Sequence, residues 1–302
     1  MLDTIRFHPA IGAGLFSLIL VLTACDKGSS DTADADIQAG RDVVDAMSLE
    51  HANDSTEPSE AAKIEPTHSV DSETLAYADV EDELAYGYLA YPSGVFEPLP
   101  AIIMIHEWWG LNDNIRAMAN RLAAHGYMVL AVDFYGGETA ANPDEARMRM
   151  LGVVENPQRA RENLRQALDF LTIAGAPRIA SLGWCFGGGW SLNTAMLFPD
   201  KVDASVIYYG QLTADAERLR SIDAPLIGFF GSDDRGIPVE SVKAFERTLQ
   251  RLRKDYEIRI YPGARHAFAN PTGNNYNAEA AEDAWQRTLR FLAAHLQTSD
   301  AT

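Results

Sequence analysis

The sequence predicts an α/β fold with a mostly parallel central sheet and helices on both faces. Three observations predict it. Short, continuous apolar runs such as Ala101–His106 (AIIMIH) read as buried parallel strands. Helix-period stretches alternate with them along the chain. A glycine-rich passage, Gly183-Trp184-Cys185-Phe186-Gly187-Gly188, joins one such strand to one such helix.

Taken in order, the chain opens with Arg6 as a weak positive region and an apolar run of 12 residues, Ile11–Leu22. That is the length of a signal-peptide core and is short for a membrane span. Leu22-Thr23-Ala24-Cys25 follows at once and resembles the bacterial lipobox, in which the signal is cut before a cysteine that then carries lipid. Residues 1–24 are therefore expected to be a lipoprotein signal peptide and Cys25 the lipidated residue. Several acyl chains would make a stable anchor. An ordinary secretory signal with a chance cysteine, or a short membrane anchor, is the alternative. The expected location is the cell envelope, on the periplasmic or extracytoplasmic face of a bacterial membrane.

Residues 26–73 hold 13 Asp/Glu against 3 Lys/Arg, and no Trp, Tyr or Phe occurs in 26–72. Such a composition buries too little apolar surface to offset its ordering entropy. An acidic, disordered tether over residues 25–73 is expected, with an interaction segment as the other reading. Residues 74–302 then form one globular domain.

Within that domain the expected elements are a strand at Tyr86–Tyr91, a strand at Ala101–His106, a helix at Asn114–His125 and a strand at Tyr127–Asp133. A helix at Pro157–Ala174, a strand at Arg178–Gly183 and a helix at Gly187–Phe198 follow. Strands at Ala204–Tyr209, Leu226–Phe230 and Glu257–Tyr261, and helices at Val239–Leu252 and Ala278–His295, complete the set. The net charge of -18 excludes nucleic acid as an expected partner, since phosphate binding needs a clustered positive surface.

The passage around Cys185 has the context of a nucleophile elbow. A tight turn needs small residues two positions either side, and Gly183 and Gly187 supply them. The side chain then stands at a helix N-terminus, where free N–H groups and the helix dipole favour a thiolate and an oxyanion. A buried cysteine in a glycine-rich turn is the plainer reading. A nucleophile needs a base, and the base an orienting carboxylate. Asp233 and Asp234 follow the strand Leu226–Phe230, and His266 follows the strand Glu257–Tyr261, so the order is nucleophile, acid, base. The Phe186 N–H and that of Trp108 are the expected oxyanion donors. Trp109 and Tyr135 are assigned to the substrate pocket.

The runs HEWWGLNDNIRAMANRLAAHGYMVLAVDFYGG, GWCFGGGW, GSDDRGIP and YPGARHAFAN together resemble the dienelactone hydrolase family over roughly residues 74–297. The resemblance implies the α/β-hydrolase fold, a triad of Cys185, Asp234 (rather than Asp233) and His266, and no metal or cofactor. It implies a hydrolase acting on a small ester or lactone through an acyl-enzyme. Glu107 matches a family glutamate that takes the thiol proton as substrate arrives; a bracing role for it is the alternative. The family's original members hold a substrate carboxylate with two arginines, and the matching positions here are Gly137 and Asn270. Dienelactone itself is therefore not the expected substrate, unless Arg116, Arg235 or Arg265 substitutes. An acyltransferase or thioesterase on the same triad is the runner-up, a degenerate ligand-binding module the third reading. A monomer is expected.

Overall fold

The computed structural model describes residues 27–51 and 66–297. Residues 37–302 belong to one compact unit. Its sheet is built from β1 (Val70–Val80), β2 (Glu83–Pro92), β3 (Ala101–Ile105), β4 (Met128–Val132), β5 (Ile179–Trp184), β6 (Ala204–Tyr208), β7 (Leu226–Gly231) and β8 (Tyr256–Tyr261). The strands lie in the order β1-β2-β4-β3-β5-β6-β7-β8. β1 and β2, and β2 and β4, pair antiparallel; every other neighbouring pair is parallel. The helices are α1 (Lys27–Glu50), α2 (Asp113–Ala123), α3 (Pro143–Glu155), α4 (Pro157–Ile173), α5 (Phe186–Leu197), α6 (Ala216–Arg220), α7 (Val239–Leu252) and α8 (Ala278–Leu296).

Both faces of the sheet are covered, and β6 shows it. Side chains three apart on a strand point to opposite faces. Ser205 Oγ meets Ser191 Oγ of α5 at 3.1 Å, while Tyr208 Oη meets Thr288 Oγ1 of α8 at 2.7 Å. Strands β3, β5, β6 and β7 are buried along their whole length, as their uninterrupted apolar runs require. All their C-terminal ends lie on one edge of the sheet, where ligands bind in parallel α/β folds.

The N-terminal region departs from the sequence expectation. Where composition predicts a disordered tether over 25–73, Lys27–Glu50 is helical and β1 already begins at Val70. Gly40, Val44, Met47 and His51 recur at helical spacing, and all four are buried. Ion pairs flank this stripe, Arg41 with Glu155 at 2.6 Å and Arg147 with Asp45 at 2.6 Å. One narrow apolar stripe on an otherwise acidic helix is enough to seat it. β1 also lies outside the expected set, because its sequence, VDSETLAYADV, is largely polar and edge-exposed. A tight turn at Glu81-Asp82, both at positive φ, folds it onto β2.

The signal segment 1–24 and Cys25 lie outside the described residues. No helix among the described residues is long and apolar enough to cross a membrane.

Candidate active site

Cys185 stands between β5 and α5 with φ 54° and ψ -117°. A non-glycine residue in this strained region persists only where its surroundings enforce it. They do so through close backbone packing: a Cβ on Gly183 would overlap the Gly187 carbonyl, and one on Gly187 would overlap the carbonyl of Ile105 at the end of β3. The Cys185 N–H donates to Tyr208 O at 3.0 Å, fastening the turn to β6. Phe186 is the first residue of α5, so its N–H has no acceptor within the helix.

The acid and base loops meet beside this turn. Gly231, ending β7, lies so close to Ala264 that a Cβ there would overlap the Ala264 carbonyl. Asp233 N–H donates to Ala264 O at 2.9 Å and ties the two loops together. His266 Nδ1 then meets Asp234 Oδ2 at 2.8 Å, with both side chains fully buried. Asp234 Oδ1 accepts from the N–H groups of Gly236 and Ile237, each at 2.8 Å. These hydrogen bonds, made to both of its oxygens, fix how Asp234 faces the ring. Asp233 is exposed and accepts only from Ser232 Oγ, at 2.7 Å. Of the two acids, Asp234 is the one beside His266.

Burial opposes charge on both His266 and Cys185, yet the charges prevail. His266 is held well above the usual imidazole range, against burial, by the negative charges of Asp234 and Cys185. Burial alone would raise the Cys185 thiol; the charge of His266, and after it His51, outweighs that and brings it to about 6. His266 Nε2 has no hydrogen-bond partner, so its attraction to the sulfur acts across a gap. The nearest donor-type atoms of His51, Cys185 and His266 all lie within 4.8 Å of one another. The arrangement favours a thiolate beside an imidazolium, the pairing that nucleophilic catalysis by cysteine requires.

The residues after β3 close the other side. Glu107 is buried, and its Oε2 accepts from Asn270 Nδ2 at 2.9 Å. Trp108 is fully buried and its carbonyl accepts from Tyr135 Oη at 3.1 Å. Tyr135 in turn stacks on Phe186, with ring centroids 6.2 Å apart. Trp109 packs edge-on to Trp108 at 4.9 Å. The sequence-singled residues Glu107, Trp108, Trp109, Tyr135, Cys185, Phe186, Asp234 and His266 therefore gather at one edge of the sheet. His106 is nearby but committed: Nε2 accepts from Phe134 N–H at 3.2 Å and Nδ1 meets Glu107 O at 2.6 Å. Burial lowers its pKa, as suits a neutral, structural ring.

Tyr209, edge-on to His266 at 5.2 Å, and two residues of the N-terminal region lie outside this sequence-derived set. Met47 Sδ is 3.6 Å from Cys185 Sγ, and His51 Nε2 is 3.7 Å from it. The His51 ring stacks on Trp108 at 4.8 Å and stands edge-on to His266 at 5.3 Å. With these side chains in place, Cys185 is 2% exposed. The one sequence signal for Met47 and His51 was the buried stripe of α1, masked by its acidic surroundings.

The family model for the dienelactone hydrolase family matches residues 85–296. The chain belongs to that family. A relative from Saccharolobus solfataricus, named "Putative carboxymethylenebutenolidase", is 32% identical over 68% of this chain and 92% of its own. "Protein usf" of Aquifex pyrophilus is 33% identical over 70% of this chain and 93% of its own. A solved structure from Klebsiella pneumoniae, a "Putative Dienelactone Hydrolase", has TM-score 0.68 and 26% identity, covering 75% of this chain and 99% of that one. The family match begins in β2, so Met47 and His51 lie before it.

Within this dienelactone hydrolase frame, the two positions that lack arginine are occupied for other ends. Gly137 has φ 87° and its N–H donates to Asp133. Asn270 is buried, bonded to Glu107, and accepts from Thr272 N–H at 2.9 Å. Of the possible substitutes, Arg116 lies over the Tyr88 ring at 5.0 Å and Arg265 reaches Glu50 at 3.4 Å. Arg235 is exposed beside the acid loop.

Proposed function

We propose that this dienelactone hydrolase-family enzyme cleaves a carboxylic ester or lactone with Cys185 as nucleophile, His266 as acid and base, and Asp234 as the group that orients His266. The observation that carries the reading is the geometry: Cys185 on its strained turn at the start of α5 lies beside His266, whose Nδ1 meets the buried Asp234 Oδ2 at 2.8 Å. The thiolate attacks the carbonyl carbon. Negative charge developing on the carbonyl oxygen falls to the N–H of Phe186, at the start of α5, and that of Trp108. His266 passes its Nε2 proton to the leaving oxygen. The same nitrogen then takes a proton from water, hydroxide attacks the thioester, and the thiolate leaves.

The substrate's acyl side is an uncharged, apolar or weakly polar group. Support comes from the aromatic residues beside the site, where Trp108 and Trp109 pack on His51 and Tyr135 stacks on Phe186, and from Gly137 and Asn270, which offer no cation to a carboxylate. Glu107, tied to Asn270, braces the loop that presents Trp108. The reading includes export, with lipid on Cys25 holding the enzyme at a bacterial membrane on its periplasmic or extracytoplasmic face. The apolar run 11–22 and the Leu22–Cys25 motif support that part.

The test is Cys185→Ala assayed on short p-nitrophenyl esters, enol lactones and thioesters. Loss of about 10⁴-fold in kcat/KM is expected. Undiminished turnover by the mutant would overturn the proposal.

A further inference from the structure

We propose that His51, carried by the turn that ends α1 and lying outside the family-matched segment, is a catalytic residue that donates its Nε2 proton to the Cys185 thiolate in a hydrogen bond. The inference rests on Cys185 as the nucleophile.

The geometry is specific. His51 Nε2 approaches Sγ to 3.7 Å, within reach of an N–H···S hydrogen bond. The His51 ring is 1% exposed, stacked on Trp108 and edge-on to both Trp109 and His266. Three aromatic neighbours fix where its edge points. Sγ therefore faces two imidazoles, His266 and His51, with their nearest atoms all within 4.8 Å of one another, and the contact from His51 Nε2 is the 3.7 Å one. The ionisable groups facing Cys185 come from four elements. They are His51 after α1, His266 after β8, and the phenols Tyr135 after β4 and Tyr209 after β6. Burial holds both phenols protonated. Glu107 and Asp234 are engaged by Asn270 and His266 respectively.

The division of labour follows. The thiol's proton rests on His266 Nε2 and goes to the leaving oxygen; His51 keeps its own proton throughout and lowers the cost of the buried sulfur anion. Met47 Sδ, also against Sγ, sits on an unbranched, flexible side chain and is the contact that gives way to substrate. His51, clamped between aromatic rings, stays.

Full-length His51→Phe and His51→Gln separate this from packing. Phe keeps the stacking on Trp108 and removes the donor; Gln keeps an amide donor. The thiolate is followed by its ultraviolet absorbance as pH is raised, with Cys185→Ser as blank. In His51→Phe the thiol midpoint is expected to rise by about one unit. Its kcat/KM should fall about tenfold in the acid limb and recover in alkali, with KM little changed. His51→Gln should fall between Phe and wild type. An unmoved midpoint in His51→Phe, or equal losses in both variants, would overturn the proposal. So would a His51→Phe enzyme that is more active and faster to label with a thiol reagent, since α1 would then be only a cover. The thiol titration needs no turnover, so failure of Cys185 as nucleophile shows separately, as undiminished activity in Cys185→Ala.

Discussion

Replacing Asp234 by Asn changes one atom, and its consequence can be worked from the hydrogen bonds. Asp234 Oδ1 accepts from Gly236 and Ile237 N–H at 2.8 Å each. In the Asp234→Asn enzyme the amide's carbonyl oxygen must take that place, because an NH₂ group would oppose two N–H donors. The NH₂ group then faces His266 Nδ1 at the 2.8 Å position now filled by Oδ2. Nδ1 must become an acceptor, so the neutral ring carries its proton on Nε2 and cannot accept one there. The imidazolium loses the carboxylate that stabilises it, and Cys185 loses the largest charge lowering its pKa. That influence helps bring the thiol from 9.0 to about 6. Moving the midpoint from about 6 toward 9 leaves roughly 1% of the thiol ionised at pH 7, about 10²-fold less thiolate than in the wild type. The expected result is a thiol midpoint displaced toward 9 and kcat/KM on p-nitrophenyl acetate at neutral pH reduced at least about 10²-fold. Asp233→Asn is the control: the Asp233 side chain is exposed and accepts from Ser232 Oγ, and its backbone bond to Ala264 O is kept in the variant, so activity within about twofold is expected. An Asp234→Asn enzyme within about tenfold of wild type, or an Asp233→Asn enzyme as damaged as that mutant, would refute the reasoning.

Two further outcomes follow from the same geometry. Cys185 must be ionised and His266 protonated, so kcat/KM should rise through a midpoint near pH 6, stay level, and fall only in alkali where His266 finally deprotonates; a profile that first rises where ordinary thiols ionise would contradict the ion pair. Met47→Ala removes a side chain that is 2% exposed and rests over Gly236 and Cys185. It should lower unfolding stability by about 2 kcal/mol in urea and shift preference toward longer acyl chains. The same stability loss with unchanged chain-length preference would place Met47 outside the acyl site.

The parts of this molecule legible in the sequence are those where one local requirement dominates. Strands β3 to β7 announce themselves because burial on both faces keeps them almost wholly apolar, with only the hydrogen-bonded Ser181 and Ser205 as polar side chains. The elbow is legible because Gly183 and Gly187 answer direct overlaps with backbone carbonyls, which no side chain can relieve. The choice of Asp234 over Asp233 is harder, since both sit in one loop; the resemblance points to Asp234, and burial separates them in the structure. α1 is illegible for a different reason. Its acidic residues set the composition, while the four residues that seat it occupy a stripe one side chain wide. Their meaning depends on a groove assembled from residues more than a hundred positions away, such as Val154 against Gly40 and Gly236 beneath Met47. α3 is absent from the expected elements although its start carries a signal: Asn142 caps the helix by accepting from Glu145 N–H at 3.0 Å, and Pro143 starts it.

The departures at Gly137, Asn270 and His51 are best understood together. A substrate carboxylate held by arginines brings its own negative charge beside the nucleophile, and a site built for it must leave room for cations. Here Asn270 turns inward and ties down Glu107, so that acid's oxygen is committed to a neutral amide. A chain segment before the family-matched region meanwhile brings an imidazole to the sulfur. Both changes point the same way. On the proposed mechanism, fixed groups of the protein favour the thiolate without a charged substrate, and aromatic side chains line the site. Such a site would suit a neutral ester or lactone, and under the proposed mechanism its thiolate would need covering. α1 answers that need, since its last turn leaves Cys185 2% exposed while supplying a donor to the sulfur it covers.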